Sequence, residues 1–157
     1  MIRIGQGFDV HRLVPNRRCL IGGVEIPYHL GLAGHSDADV LLHAIIDALL
    51  GAAGLGDIGQ HFPDTELRFK DADSSQLLMN VWEKIQLQGF TISNIDCTIL
   101  AEKPKMAPYL PMMKGQLARI CQLDSSQINL KATTMETMGF IGREEGIGAI
   151  AVALLEK

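Results

Sequence analysis

The sequence predicts an α+β fold, a mixed β-sheet layered with α-helices in a single domain over residues 1–157. Three observations carry that reading. Residues 2–11 alternate with the period of a strand, while residues 74–88 repeat with the period of a helix. Strands and helices alternate along the chain but not strictly, which favours a mixed sheet over a doubly wound one. The chain has 157 residues, 47% hydrophobic and 20% charged, enough for one core and too apolar for disorder.

In order, Ile2, Ile4, Phe8 and Val10 fall on one face of the first strand, and Arg3, Gly5, Gly7, Asp9 and His11 on the other. The apolar set is expected to face the core, which also places Gln6 on the core side. Leu20–Ile26, with Gly22-Gly23 inside it, reads as a strand or hairpin arm. A helix is expected from about Asp37 to Leu50, with Ser36 and Asp39 spaced as a capping box with Asp for Glu. Residues 56–75 are rich in Gly, Asp, Pro and Ser and read as a mobile loop. Ser74–Gln88 is amphipathic, with Leu77, Leu78, Val81 and Ile85 on one stripe and Gly89 to end it. Thr91–Leu100 reads as a strand. Pro104, Pro108 and Pro111 break the chain before a helix over Met112–Cys121, and Ile128–Thr133 and Ile147–Leu155 supply the last strands.

Charge and composition exclude several classes. Fourteen Lys and Arg against eighteen Asp and Glu give a net charge of −4, without the positive field of a nucleic-acid binder. The apolar run Ile147–Leu155 is nine residues, whereas a bilayer span needs about twenty. Cys19, Cys97 and Cys121 are odd in number and widely spaced, so neither a disulfide framework nor a zinc knot is expected. The first residues enter a strand pattern at once, predicting no signal peptide and a cytoplasmic setting. In an organelle the corresponding place is the plastid stroma, after removal of a transit segment.

Five constellations carry chemistry. Asp9 and His11, two apart on a strand, leave the same face side by side. His43 lies on a helix of otherwise apolar residues, in a polar stripe with Asp39 and Asp47 four residues either way. The stripe predicts that at least one of these carboxylates orients the imidazole. Two imidazoles and one carboxylate suit a catalytic zinc site with an open position, and equally a non-haem iron oxygenase. His35-Ser36-Asp37 precedes the helix, where free N–H groups favour an anion. Lys131–Glu136 offers hydroxyls and turn amides for phosphate, although Thr133 with Glu136 also fits a plain capping box. Ala101–Met106 adds two lysines around a stiff proline.

These segments belong together: G-F-D-V-H at 7–11, H-S-D-A-D-V-L-L-H-A at 35–44, D-A-L-L-G-A at 47–52 and G-D-I-G at 56–59. They continue with F-P-D-T at 62–65, P-K-M at 104–106, K-A-T-T at 131–134 and G-F-I-G-R-E-E-G-I at 139–147. In order and spacing the chain resembles the 2-C-methyl-D-erythritol 2,4-cyclodiphosphate synthase family of the non-mevalonate isoprenoid pathway. The resemblance implies that 4-diphosphocytidyl-2-C-methyl-D-erythritol 2-phosphate closes on itself and releases CMP. It implies that Asp9, His11 and His43 hold a zinc ion that contacts the diphosphate, and that Glu136 holds a second ion, magnesium or manganese. His35 and Thr134 would be catalytic, supporting the phosphates in the transition state together with Ser36. Asp57, Ile58, Gly59, Phe62, Pro63, Asp64, Thr65 and Glu66 would surround the erythritol. Ala101, Pro104, Lys105, Met106 and Ala107, with Thr133, Thr134, Met135 and Glu136, would hold the cytidine diphosphate. The family likeness further implies a homotrimer with sites shared between subunits, and a central cavity near Phe8, Phe140 and Arg143 for an isoprenoid diphosphate. The apolar last strand is a hint toward such an assembly. A phosphate-binding module with a structural metal is the non-enzymatic alternative, and it would have no use for His35.

Overall fold

The computed structural model describes residues 1–157. A five-stranded sheet runs in the order β4-β1-β7-β5-β6, built from β1 (Ile2–Val14), β4 (Gly31–Leu32), β5 (Thr91–Leu100), β6 (Ile128–Thr133) and β7 (Gly146–Glu156). All neighbouring pairs are antiparallel except β5 with β6, so the sheet is mixed, as the element pattern predicts. A separate hairpin joins β2 (Cys19–Ile21) to β3 (Val24–Ile26). Its two-residue turn needs positive φ at both positions, which Gly22 and Gly23 supply at 62° and 73°.

Helix α1 (Val40–Ala53) is the centre of the core: eleven of its fourteen residues are buried. A helix apolar on nearly every side is stable only when enclosed. It lies across β1 and β7, with α3 (Ser74–Leu87) beside it and α4 (Leu110–Cys121) further along. Short helical turns α2 (Ile58–His61) and α5 (Gly139–Gly142) complete the chain. All three cysteines are free and buried, and burial pushes the Cys97 and Cys121 thiols up to about 12.

Four sequence expectations need correction. The core face of β1 is the glycine face, not the isoleucine face: Gly5 and Gly7 are buried, while Ile2, Ile4 and Phe8 are 71%, 71% and 50% exposed. The cause is the closeness of α1, since a Cβ on Gly5 would meet the Ala48 carbonyl oxygen at 1.9 Å. Gln6 therefore points to the open side. Helix α1 starts at Val40 with Asp39 as its N-cap, so Ser36 is not its cap. Residues 56–75 are not an unbroken loop, because α2 and a 3-10 turn at Leu67–Phe69 lie within them. Helix α4 begins at Leu110 rather than Met112, because a proline in the first turn gives up no hydrogen bond.

Candidate metal centre and adjoining cleft

The core of the site is a meeting of β1 with α1. Strand geometry sends Asp9 and His11 from the same face as Gly5 and Gly7, toward the helix. The missing side chains at the glycines allow α1 to approach, and His43 on its first turns then reaches both. His11 Nε2 lies 2.8 Å from Asp9 Oδ2. His43 Nδ1 lies 3.1 Å from the same oxygen and 3.2 Å from His11 Nε2. All three groups are partly buried, with the ligating atoms within 4.8 Å of one another.

The outer atoms define which nitrogens face inward. His11 Nδ1 donates to the Ala33 carbonyl at 2.8 Å. His43 Nε2 faces the hydroxyls of Ser74 at 2.9 Å and Ser36 at 3.1 Å. The inward atoms are therefore two ring nitrogens and one carboxylate oxygen, all electron-pair donors converging on one point. Burial works to raise the Asp9 pKa, but the two imidazoles beside it, His11 foremost, outweigh it and hold the carboxyl at about 2. Burial disfavours charge on His11 as well, yet the bond to Asp9 raises its pKa above the ordinary value. A proton satisfies one pair of these donors at a time, whereas a divalent cation satisfies all three, and two imidazoles with one carboxylate are a borderline-soft donor set that suits it.

The polar stripe of α1 has a different purpose from the one its spacing suggests. Asp39 is 1% exposed, and its carboxylate accepts from Gly22 N at 2.8 Å, Gly23 N at 2.7 Å and Leu42 N at 3.1 Å. It ties the β2–β3 turn to the start of α1 and occupies the helix N-terminus that the sequence offers to an anion. Asp47 accepts from Ile58 N at 2.7 Å. Neither carboxylate touches the His43 ring, whose partners come from β1, the 35–37 loop and α3.

A cleft of about 600 Å³ opens beside the centre. His11, His35, Ser36 and His43 line it together with Ile58, Gly59, Phe62, Pro63, Asp64 and Thr65. Phe62 and Phe69 meet edge to face, with centroids 5.3 Å apart, and give the cleft one apolar wall. His35 Nε2 donates to the Glu66 carbonyl at 3.1 Å, which holds the ring at the rim. Asp57 caps α2 by accepting from Gln60 N, at the edge of the same region.

The other expected residues lie elsewhere on the chain. None of Ala101, Pro104, Lys105, Met106, Ala107, Thr133, Thr134, Met135 or Glu136 lines this cleft. They form a second cluster where β5 and β6 end in parallel. Ala101 N donates to the Thr133 carbonyl at 3.0 Å, and Glu102 Oε1 accepts from Met135 N at 2.6 Å and Thr137 N at 3.4 Å. No helix starts at Thr133, so the capping box with Glu136 does not form; Glu136 and Thr137 instead take positive φ in an exposed turn. Phe140 is 46% exposed near Val10 and Arg12, and Arg143 pairs with Glu145 at 2.8 Å. In the sequence Asp37 and Glu102 stand out only as members of the 35–37 and 101–106 segments, and Ser74 has no functional signal. Ser74 carries only a helix-start signal, and its burial beside His43 depends on a contact 31 residues apart.

Comparison with known proteins covers the whole fold. The model of the YgbB family matches residues 2–156. The 2-C-methyl-D-erythritol 2,4-cyclodiphosphate synthase of Enterococcus faecalis is 71% identical over all of both chains. The bifunctional IspDF of Campylobacter jejuni is similar at 46% identity and a TM-score of 0.95, over 99% of this chain and 42% of that one. The Plasmodium falciparum IspF, solved as a CDP complex, is similar at 32% identity and a TM-score of 0.87, over 98% of this chain and 95% of that one.

Proposed function

The chain belongs to the YgbB family of 2-C-methyl-D-erythritol 2,4-cyclodiphosphate synthases, and from that premise we propose how its residues divide the work. It is an enzyme of that class, forming a cyclic diphosphate in isoprenoid biosynthesis. The substrate is 4-diphosphocytidyl-2-C-methyl-D-erythritol 2-phosphate. Its 2-phosphate oxygen forms a bond to the β-phosphorus as the bond to the CMP oxygen breaks.

The convergence of three donor atoms from Asp9, His11 and His43 beside the cleft carries the proposal. These residues hold Zn²⁺, and Glu136 holds a second ion, Mg²⁺ or Mn²⁺. When bound, such ions supply Lewis-acid polarisation of phosphoryl oxygens and neutralise charge. The nucleophile is already an anionic oxygen, so the chain's own task is to position and shield. His35 and Ser36 approach the phosphates from the metal side of the cleft, and Thr134 from the turn after β6. Asp57, Ile58 and Gly59, with Phe62 to Glu66, close around the erythritol. Ala101 to Ala107 and Thr133 to Glu136 receive the cytidine diphosphate, with Lys105 as the cation and Glu102 bracing the turn.

Two observations support shared sites in a homotrimer. The nucleotide cluster does not line the cleft of its own chain, so a neighbouring chain is the natural source of that half. The open face of β1, with Ile2, Ile4 and Phe8, is apolar and unpaired in the single chain. Phe8, Phe140 and Arg143 then surround a central cavity suited to an isoprenoid diphosphate. No helix is long and apolar enough to cross a membrane, and a cytoplasmic setting fits the free buried thiols.

Metal analysis tests the proposal. The chain purified without added metal should carry one zinc, and His43→Ala should lose it, because all three ligands share one ion. Full zinc occupancy in His43→Ala, or redox-active iron in place of zinc, contradicts it.

A further inference from the structure

We propose that Asp37 and Ser74 are positioning residues that set the tautomer of His43, and so select Nδ1 as the atom it presents to a metal. The inference rests on the metal reading above. Ser74 Oγ lies 2.5 Å from Asp37 Oδ1, and Ser74 N donates to Asp37 Oδ2 at 3.0 Å. A carboxylate only accepts, so the serine proton belongs to that bond. The remaining capacity of Ser74 Oγ toward His43 Nε2, at 2.9 Å, is as an acceptor. His43 then carries its proton on Nε2, and its bare Nδ1 accepts, as Asp9 Oδ2 does, from the His11 Nε2–H, at 3.2 Å.

Two further features make this a built arrangement. Ser74 is fully buried, so no water competes for its hydroxyl. The loops that carry the pair are fastened to each other: Asp37 N donates to the Ala72 carbonyl at 3.0 Å, and Asp71 N to the His35 carbonyl at 2.8 Å. Ser36 Oγ, 3.1 Å from His43 Nε2, also accepts from Ala38 N at 3.1 Å. No carboxylate commits its proton, so Ser36 does not dictate the tautomer and its hydroxyl stays available to a ligand. A carboxylate two bonds removed also makes the imidazole a stronger donor to metal.

The test uses the full chain with ¹⁵N-labelled histidine, stripped of metal, and reads the His43 tautomer from long-range ¹⁵N–¹H correlations. The wild type should show Nε2–H. Ser74→Ala should lose that preference and bind zinc roughly 10- to 100-fold more weakly in competition with a chelator. Asp37→Ala frees the Ser74 hydroxyl to donate, and should shift His43 toward Nδ1–H with a similar loss of zinc affinity. Ser74→Thr, which keeps the hydroxyl, should recover affinity. Unchanged tautomer and affinity in both deletion variants overturns the proposal, as does a lowered melting temperature of the metal-free protein with affinity unchanged. If Ser74→Ala fails to fold, Asp37→Ala decides on the same readouts. A wild type that binds no zinc defeats the metal reading instead, while the metal-free tautomer still judges the relay.

Discussion

Gly7 and Ala44 are in backbone contact across the β1–α1 interface: a Cβ on Gly7 would lie 1.9 Å from the Ala44 carbonyl oxygen. That closeness brings His43 to Asp9 and His11. Gly7→Ala should push the helix away and destabilise the fold by about 3 kcal/mol or more, at the upper end of overpacking costs. Zinc affinity should fall with it. Denaturant midpoints and chelator competition check both, and a variant with native stability and native zinc binding would show that the interface yields freely.

Asp39→Asn leaves one acceptor where the carboxylate serves three backbone N–H groups. Its amide must face one of them, so the expected loss is about 1–3 kcal/mol of stability. Asp47→Asn should cost less than about 1 kcal/mol, because one hydrogen bond to Ile58 N can be kept by the amide oxygen. Both variants should retain zinc, because neither carboxylate touches His43. Isothermal unfolding with zinc analysis separates these outcomes from the outer-ligand role that the helical spacing suggests.

Acidification should act on the metal-free fold and on metal binding with opposite signs. The pKa of His11 is raised in the native state, so its pairing with Asp9 stabilises fully below the unfolded value of 6.5 and is lost as pH rises through the native value. The pKa of Asp9 is lowered to about 2, so its contribution is present above 3.8 and lost as pH falls toward 2. The pair therefore favours the metal-free fold most between about pH 4 and 6.5. Zinc must displace the His11 proton, so its affinity should fall across that same acidic range by about tenfold per pH unit for each proton released. Zinc affinity independent of pH between 5 and 7 would contradict the ligand assignment.

Glu102 joins the two segments assigned to the nucleotide by accepting from Met135 N and Thr137 N. Glu102→Ala should loosen that turn and weaken CDP binding by about tenfold, the worth of one charge-assisted hydrogen bond. Zinc content should not change, because Asp9, His11 and His43 lie outside the cluster. Calorimetric titration with CDP measures the effect, and unaltered affinity would remove Glu102 from the nucleotide half.

Much of the fold was legible because periodicity reports burial. Thr91–Leu100 and Ile128–Thr133 form strands over the expected residues, and the apolar stripe of Ser74–Gln88 faces the core. The face of β1 was misread because glycine carries no hydropathy signal, although two glycines on one face mark a helix packed against the backbone. The metal cluster was legible in residue type and spacing. Its hydrogen-bond partners were not, since Ser74 and Asp37 reach His43 through the fold rather than along the helix, while the nearer Asp39 and Asp47 turn to Gly22, Gly23 and Ile58.

Closure of the cyclic diphosphate by this chain should depend on a metal held by Asp9, His11 and His43. Phosphorus NMR of the zinc-loaded protein with 4-diphosphocytidyl-2-C-methyl-D-erythritol 2-phosphate and magnesium tests it most directly. CMP and the 2,4-cyclodiphosphate should appear in equal amounts, with both absent for His43→Ala and for protein stripped of zinc. Turnover unaffected in His43→Ala, or CMP released without the cyclic product, would contradict it.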